Sequence, residues 1–91
     1  MKVSIEISLY PLTENYTAYI DAFILLFNRE SSIHVIVNGM STQLFGNLDV
    51  IWPLLQKGIE QIHSQVQASF VIKVISGIHQ PEGVPDYLKQ A

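Results

Sequence analysis

Cysteine is absent from this 91-residue chain. Disulfides, thiol nucleophiles and cysteine-ligated metals are thereby excluded. Charge is scarce as well: 14% of the residues are charged, the net charge is −3, and Arg29 is the single arginine. Phosphate recognition needs clustered Lys and Arg, so neither nucleic acid nor a polyphosphate is expected as a partner. The longest apolar run, residues 22–27, is far shorter than the roughly 20 residues that cross a bilayer, so no membrane partner is expected. The first residues alternate and carry Glu6, unlike a signal-peptide core, which makes the cytoplasm the expected compartment. Without an export signal, the Asn15-Tyr16-Thr17 sequon is read as chance.

Catalytic signatures are missing too. His34, His63 and His79 fall on different elements, and none has a carboxylate or second His at metal spacing. Ser41 and Thr42 have no evident histidine to activate a hydroxyl. There is no glycine-rich phosphate loop and no carboxylate pair at acid–base spacing. The chain is therefore expected not to be an enzyme and to hold neither a metal nor a cofactor.

What is abundant is apolar surface, 48% of the residues. A single domain of this size buries only part of its surface, so some of that surface is expected between subunits. The pattern organises around residues 33–45. Asn38-Gly39 lies between two alternating runs, the signature of a hairpin with a two-residue type I′ turn. With Asn38 and Gly39 as the loop, Val37 faces Met40, Val35 faces Thr42 and Ile33 faces Leu44 on one side. On the other side Ile36 faces Ser41 and His34 faces Gln43.

Before the hairpin, residues 2–10 alternate as a half-buried strand that Pro11 ends. Thr13 or Asn15 can cap a helix over 16–29. Its buried stripe is Tyr16, Tyr19, Ile20, Phe23, Leu26 and Phe27, widened by Ile24 and Leu25. After the hairpin, a second helix reaches about residue 64. Asp49 is the preferred cap, since it places Pro53 in the first turn, where its missing N–H costs nothing. Ile51, Leu55, Ile59 and Ile62 form the buried stripe of this helix. A fourth strand covers 69–75, with Phe70, Ile72 and Val74 on one face and Val71, Lys73 and Ile75 on the other. Residues 1–76 thus form the domain and 77–91 an irregular tail, in which 86–90 fits one helical turn.

The order βαββαβ with right-handed crossovers predicts an α+β fold: a four-stranded antiparallel sheet, order 4-1-3-2, with both helices on one face. The second face then carries Ser4, Glu6, Ser8, Tyr10, His34, Ile36, Ser41, Gln43, Phe45, Val71, Lys73 and Ile75. Ile36, Phe45, Val71 and Ile75 would lie exposed together, so this face is expected to meet a second copy. Glu6 and Lys73 fall on neighbouring strands and read as a cross-strand ion pair.

A binding constellation remains. Glu6 is a carboxylate in a central strand; Tyr10, Phe45 and Trp52 offer aromatic surfaces; Asn38, Ser41 and Thr42 offer short hydrogen-bonding groups beside the turn. Each has a structural role available in the turn, the core or an ion pair. As a set they suit a flat, amine-bearing heterocycle, with the carboxylate accepting from the amine and a ring stacking on an aromatic.

Glu6-Ile7-Ser8-Leu9-Tyr10-Pro11-Leu12 resembles the E-x-S-x-Y-P-L segment of the small thiamine-binding proteins, the YkoF-like group. Asn38-Gly39-Met40-Ser41-Thr42, followed by Gly46 and an aspartate-led helix, is similar to that family's second signature. Many members have Pro-Met-Gly-Thr there, and a glycine where this chain has Thr13. The resemblance runs from the first strand through the fourth; the tail is outside it. It implies a ferredoxin-like domain that assembles into homodimers or homotetramers and binds thiamine or its hydroxymethylpyrimidine moiety without catalysis, as carrier, buffer or sensor. By position it points to Glu6, Ser8, Tyr10, Asn38, Ser41 and Thr42, to which ring chemistry adds Phe45 and Trp52. Glu6 would then take the aminopyrimidine, and Ser41 and Thr42 its ring nitrogens or the hydroxyethyl group. The scarcity of Lys and Arg favours the unphosphorylated ligands. The alternatives are a ligand-free regulatory or assembly module and a dimeric ferredoxin-like isomerase or oxygenase, which needs a closed cavity with a buried acid or His.

Overall fold

The computed structural model describes residues 1–89. Its elements are β1 (Lys2–Pro11), α1 (Tyr16–Asn28), β2 (His34–Val37), β3 (Thr42–Asn47), α2 (Leu48–His63), β4 (Ala68–Ser76) and the single turn α3 (Asp86–Lys89). The sheet order β2-β3-β1-β4, antiparallel throughout, is the expected 4-1-3-2 read from the other edge. The arrangement is a ferredoxin-like α+β sandwich. Among the described residues no helix is long and apolar enough to cross a membrane. Of the helical turn expected over 86–90, Gln90 lies outside the described residues, as does Ala91.

Alternation produces the core. Val3, Ile5 and Ile7 of β1 and Leu44 of β3 point toward the helices and are buried with Phe23 and Phe27 of α1 and Ile51, Leu55 and Ile62 of α2. Ile59, expected in the same stripe, is partly buried against that cluster. Phe23 meets Phe27 edge-on at 5.1 Å and Phe70 of β4 at 5.5 Å. The two helices touch at Gly58, where a Cβ would come within 2.6 Å of the Phe23 ring, so only hydrogen fits. Tyr16, expected in the α1 stripe, is half-exposed, because the sheet beneath the helix start is incomplete.

Three local expectations are corrected. First, the hairpin turns one residue later. His34 pairs with Phe45, Val35 with Leu44, Ile36 with Gln43 and Val37 with Thr42. The tip is Gly39 and Met40, closed by the Asn38 N–H donating to the Ser41 carbonyl at 2.8 Å. A type I′ turn at Asn38-Gly39 needs positive φ at both, and among the described residues only Gly77 and Gly83 have it. The pairing shifts by two residues, so every side chain keeps its face.

Second, the N-cap position of α2 is Asn47, not Asp49, and the Asn47 side chain makes no capping hydrogen bond. Asn47 still pairs with Lys2, and the Leu48 N–H donates to the Met1 carbonyl at 2.9 Å. The chain therefore passes from strand to helix without a loop, and Pro53 falls beyond the first turn. Asp49 sits in that turn, where its charge complements the helix dipole.

Third, Phe45 is not exposed on the second face; only 3% of its surface is accessible. The chain after β4 folds back there. Gly77, at φ +89°, donates its N–H to the Lys2 carbonyl at 2.9 Å. Ser4 Oγ donates to the Gly77 carbonyl and accepts from the His79 N–H, both at 2.8 Å. Ile78 and Gln80 border the same hollow as Phe45 and His34. Val71 and Ile75 stay half-exposed, as expected.

Candidate functional site

The strands differ in length, and that difference makes the site. The last β1–β3 pair is Ile7 with Thr42, whereas β1 continues to Pro11 against Ala68 of β4. Residues 8–11 thus have a neighbour on one side only. Pro11 tolerates this place because its missing N–H would point toward the side without a strand. The notch is roofed by α1 and bounded by the 38–41 turn.

A cleft of about 400 Å³ opens there. Leu9, Tyr10 and Pro11 form its β1 wall; Tyr16, Ile20 and Ile24 of α1 face them. Asn38, Ser41 and Thr42 supply polar groups at and beside the turn, where Met40 is the most exposed large apolar residue among the described residues. Among the described residues no carboxylate, imidazole or amine lines the cleft. Its walls are mostly apolar, with hydrogen-bonding groups gathered at one end, a distribution that suits a small ring with a few polar substituents.

The turn is tied to β1 and β3 by side chains. Ser41 Oγ donates to Glu6 Oε2 at 3.2 Å. Ser8 Oγ donates to the Met40 carbonyl at 3.4 Å, and Asn38 Nδ2 to Gln43 Oε1 at 3.2 Å. Glu6 is directly opposite Lys73, as expected, with Nζ 3.7 Å from Oε1. The lysine is largely exposed, so this pair contributes under about 1 kcal/mol.

Of the residues singled out from the sequence, Tyr10, Asn38, Ser41 and Thr42 share the cleft. Glu6 lines a shallow hollow on the opposite face of the sheet, with Gln43, Phe45, Lys73 and His79. It reaches the cleft through Ser41. Ser8 touches the turn from the same outer face. Phe45 is buried at the far end of β3, its ring 6.0 Å from that of His34. Trp52 stands half-exposed on α2, away from the cleft. Sequence reasoning did not single out Tyr16, Ile20, Ile24 or Met40 as site residues. Ile24 carried a signal, since it widened the α1 stripe beyond what a sheet face needs. Met40 carried none. Among the described residues no group of three His, Asp or Glu could hold a metal ion.

No protein-family model matches the chain, and no curated protein does. Solved structures do. A Streptococcus pneumoniae protein, 23% identical, aligns over 86% of this chain and 89% of its own, with a TM-score of 0.75. A hypothetical protein of Methanocaldococcus jannaschii, 24% identical, aligns over 98% and 94%, with a TM-score of 0.73. A Thermotoga maritima protein provisionally assigned to thiamine biosynthesis or salvage, 15% identical, aligns over 98% and 95%, with a TM-score of 0.71. At these identities the likeness is one of fold, and the chain shares with all three the ferredoxin-like βαββαβ architecture.

Proposed function

We propose that the cleft beneath α1 binds a flat, amine-bearing heterocycle, with thiamine or its hydroxymethylpyrimidine moiety as the ligand, and that the protein is a non-catalytic carrier, buffer or sensor. The observation that carries this reading is the state of Ser41. Ser41 lines the cleft, and with its hydroxyl proton committed to Glu6 on the outer face its oxygen is left as an acceptor, polarised by a carboxylate. An exocyclic amine supplies the matching donor. The Asn38 amide presents both a donor and an acceptor to ring nitrogens, and Tyr10 and Tyr16 offer faces on which a ring can stack. The motif resemblance and the thiamine assignment of the Thermotoga neighbour point to the same ligand.

In this reading Glu6 acts through Ser41 and does not touch the ring. With no Lys or Arg in the cleft wall, thiamine diphosphate is the poorest of the three ligands. Calorimetric titration with thiamine, hydroxymethylpyrimidine and thiamine diphosphate tests this. Micromolar or tighter binding of either unphosphorylated ligand is expected, and Glu6→Gln is expected to weaken it about tenfold, some 1.4 kcal/mol. No heat from any of the three, with folded protein, overturns the reading. The half-exposed Val71 and Ile75 favour the other one, a ligand-free assembly module whose second sheet face meets another copy.

A further inference from the structure

The fold does not need the glycine of the Asn38-Gly39 pair for its turn. The φ of Gly39 is not positive, and a Cβ built there would meet nothing within 4 Å. Alanine would serve the backbone equally well. What glycine supplies is access. With no side chain on residue 39, its backbone nitrogen is open to the amide carbon that precedes it, Asn38 Cγ, at the exposed tip of the hairpin.

The chain has three other asparagines, Asn15, Asn28 and Asn47. All four are exposed, so exposure does not set Asn38 apart. The backbone nitrogen that follows does. After Asn28 it belongs to Arg29 and donates to the Leu25 carbonyl at 3.2 Å; after Asn47 it belongs to Leu48 and donates to the Met1 carbonyl at 2.9 Å. After Asn15 it carries the bulk of Tyr16. The hairpin tip is held by other groups: the Asn38 N–H on the Ser41 carbonyl, and the Asn38 side-chain amide on Gln43. Neither bond engages the Gly39 N–H.

We propose that Asn38 is a site of spontaneous covalent modification, converted by water to aspartate and isoaspartate. The Gly39 nitrogen, giving up its proton to solvent base, attacks Asn38 Cγ. The N–Cγ bond forms, the Cγ–Nδ2 bond breaks and ammonia leaves, closing a cyclic imide. Water then opens either imide carbonyl. Opening at Cγ breaks the new bond and leaves aspartate. Opening at the main-chain carbonyl breaks the original peptide bond and leaves isoaspartate, with the backbone routed through Cγ. Nothing is oxidised or reduced: amide and water become carboxylic acid and ammonia, and the net charge moves from −3 by one more negative unit.

Two changes follow in the fold. The Asn38 Nδ2 donor to Gln43 Oε1 is replaced by an acceptor, which the Gln43 amide can meet by turning over. A carboxylate also enters a cleft wall that has none among the described residues. That charge favours a cationic ligand over a neutral one. Resting on the ligand reading above, thiamine, with its cationic thiazolium, gains over neutral hydroxymethylpyrimidine.

Holding the intact chain in mildly alkaline buffer and following peptide masses tests the chemistry. The peptide containing Asn38 is expected to convert, partly to isoaspartate, severalfold faster than those containing Asn15, Asn28 or Asn47. Gly39→Ala is expected to slow this severalfold with the midpoint of thermal unfolding unchanged. Conversion at Asn38 no faster than at the other three overturns the proposal, and so does a Gly39→Ala chain that converts at the unaltered rate. Asn38→Asp reproduces one product; its preference for thiamine over hydroxymethylpyrimidine is expected to rise severalfold, and an unchanged preference overturns the effect on the cleft. If the unaltered chain binds neither ligand, the ligand reading fails alone, because the conversion is read by mass.

Discussion

The two ends of the sheet meet the same problem in different ways. At each end a serine of β1 or the neighbouring turn ties a loop to the outer face. At one end Ser4 donates to Gly77 and accepts from His79, and the returning chain buries both Ser4 and Phe45. At the other end the Ser41 hydroxyl makes one bond, to Glu6, and the turn it belongs to borders the cleft on the side facing α1. A hydroxyl with both its donor and an acceptor site used seals the surface. A hydroxyl with its acceptor sites unused is available to a ligand. The difference separates a serine whose hydroxyl is spent on the fold from one with acceptor capacity left over, by hydrogen-bond accounting alone.

Substitutions can break this contrast, and their effects should fall in a definite order. Phe45→Ala removes a buried ring from the sealed end and is expected to cost about 3–5 kcal/mol, read as a large drop in the midpoint of thermal unfolding. Ser4→Ala leaves the His79 N–H and the Gly77 carbonyl without their partner, for a loss of about 1–3 kcal/mol in urea unfolding. Ser41→Ala, at the open end, is expected to change stability by no more than about 0.5 kcal/mol while weakening ligand binding. Equal stability losses for Ser4→Ala and Ser41→Ala would erase the distinction. Lys73→Ala should have the smallest effect, within about 0.5 kcal/mol and vanishing at high salt, because the ion pair is exposed.

Much of the fold was legible in the sequence because burial follows strand alternation. Val3, Ile5 and Ile7 announced the buried face of β1, and the strand order followed from the connections. Alternation is blind, however, to a pairing shift of two residues, which keeps every side chain on its face. The displacement of the turn from Asn38-Gly39 to Gly39-Met40 left no trace in the hydrophobic pattern. The cap at Asn47 was hidden for a related reason: that residue is still part of the β1–β3 ladder when the helix begins. The burial of Phe45 depends on an aperiodic segment, Gly77 onward, whose path no local rule describes. As for the candidate site, Tyr10, Asn38, Ser41 and Thr42 were singled out by chemistry, and all four line one cleft. The cleft itself arises from unequal strand lengths, a property of the assembled sheet, and so Tyr16 and Met40 were not found.

The position of β1 also bears on how the chain folds. It precedes the other three strands of the sheet in sequence and lies between two partners, β3 and β4. Ser4 and Gly77, bonded to each other, are 73 residues apart in sequence. Only β2 and β3 can pair locally. During synthesis β1 therefore remains without its β4 neighbour until the chain has passed Ser76. Closure over so long a loop is entropically slow, and the early hairpin, not the central strand, is the natural nucleus.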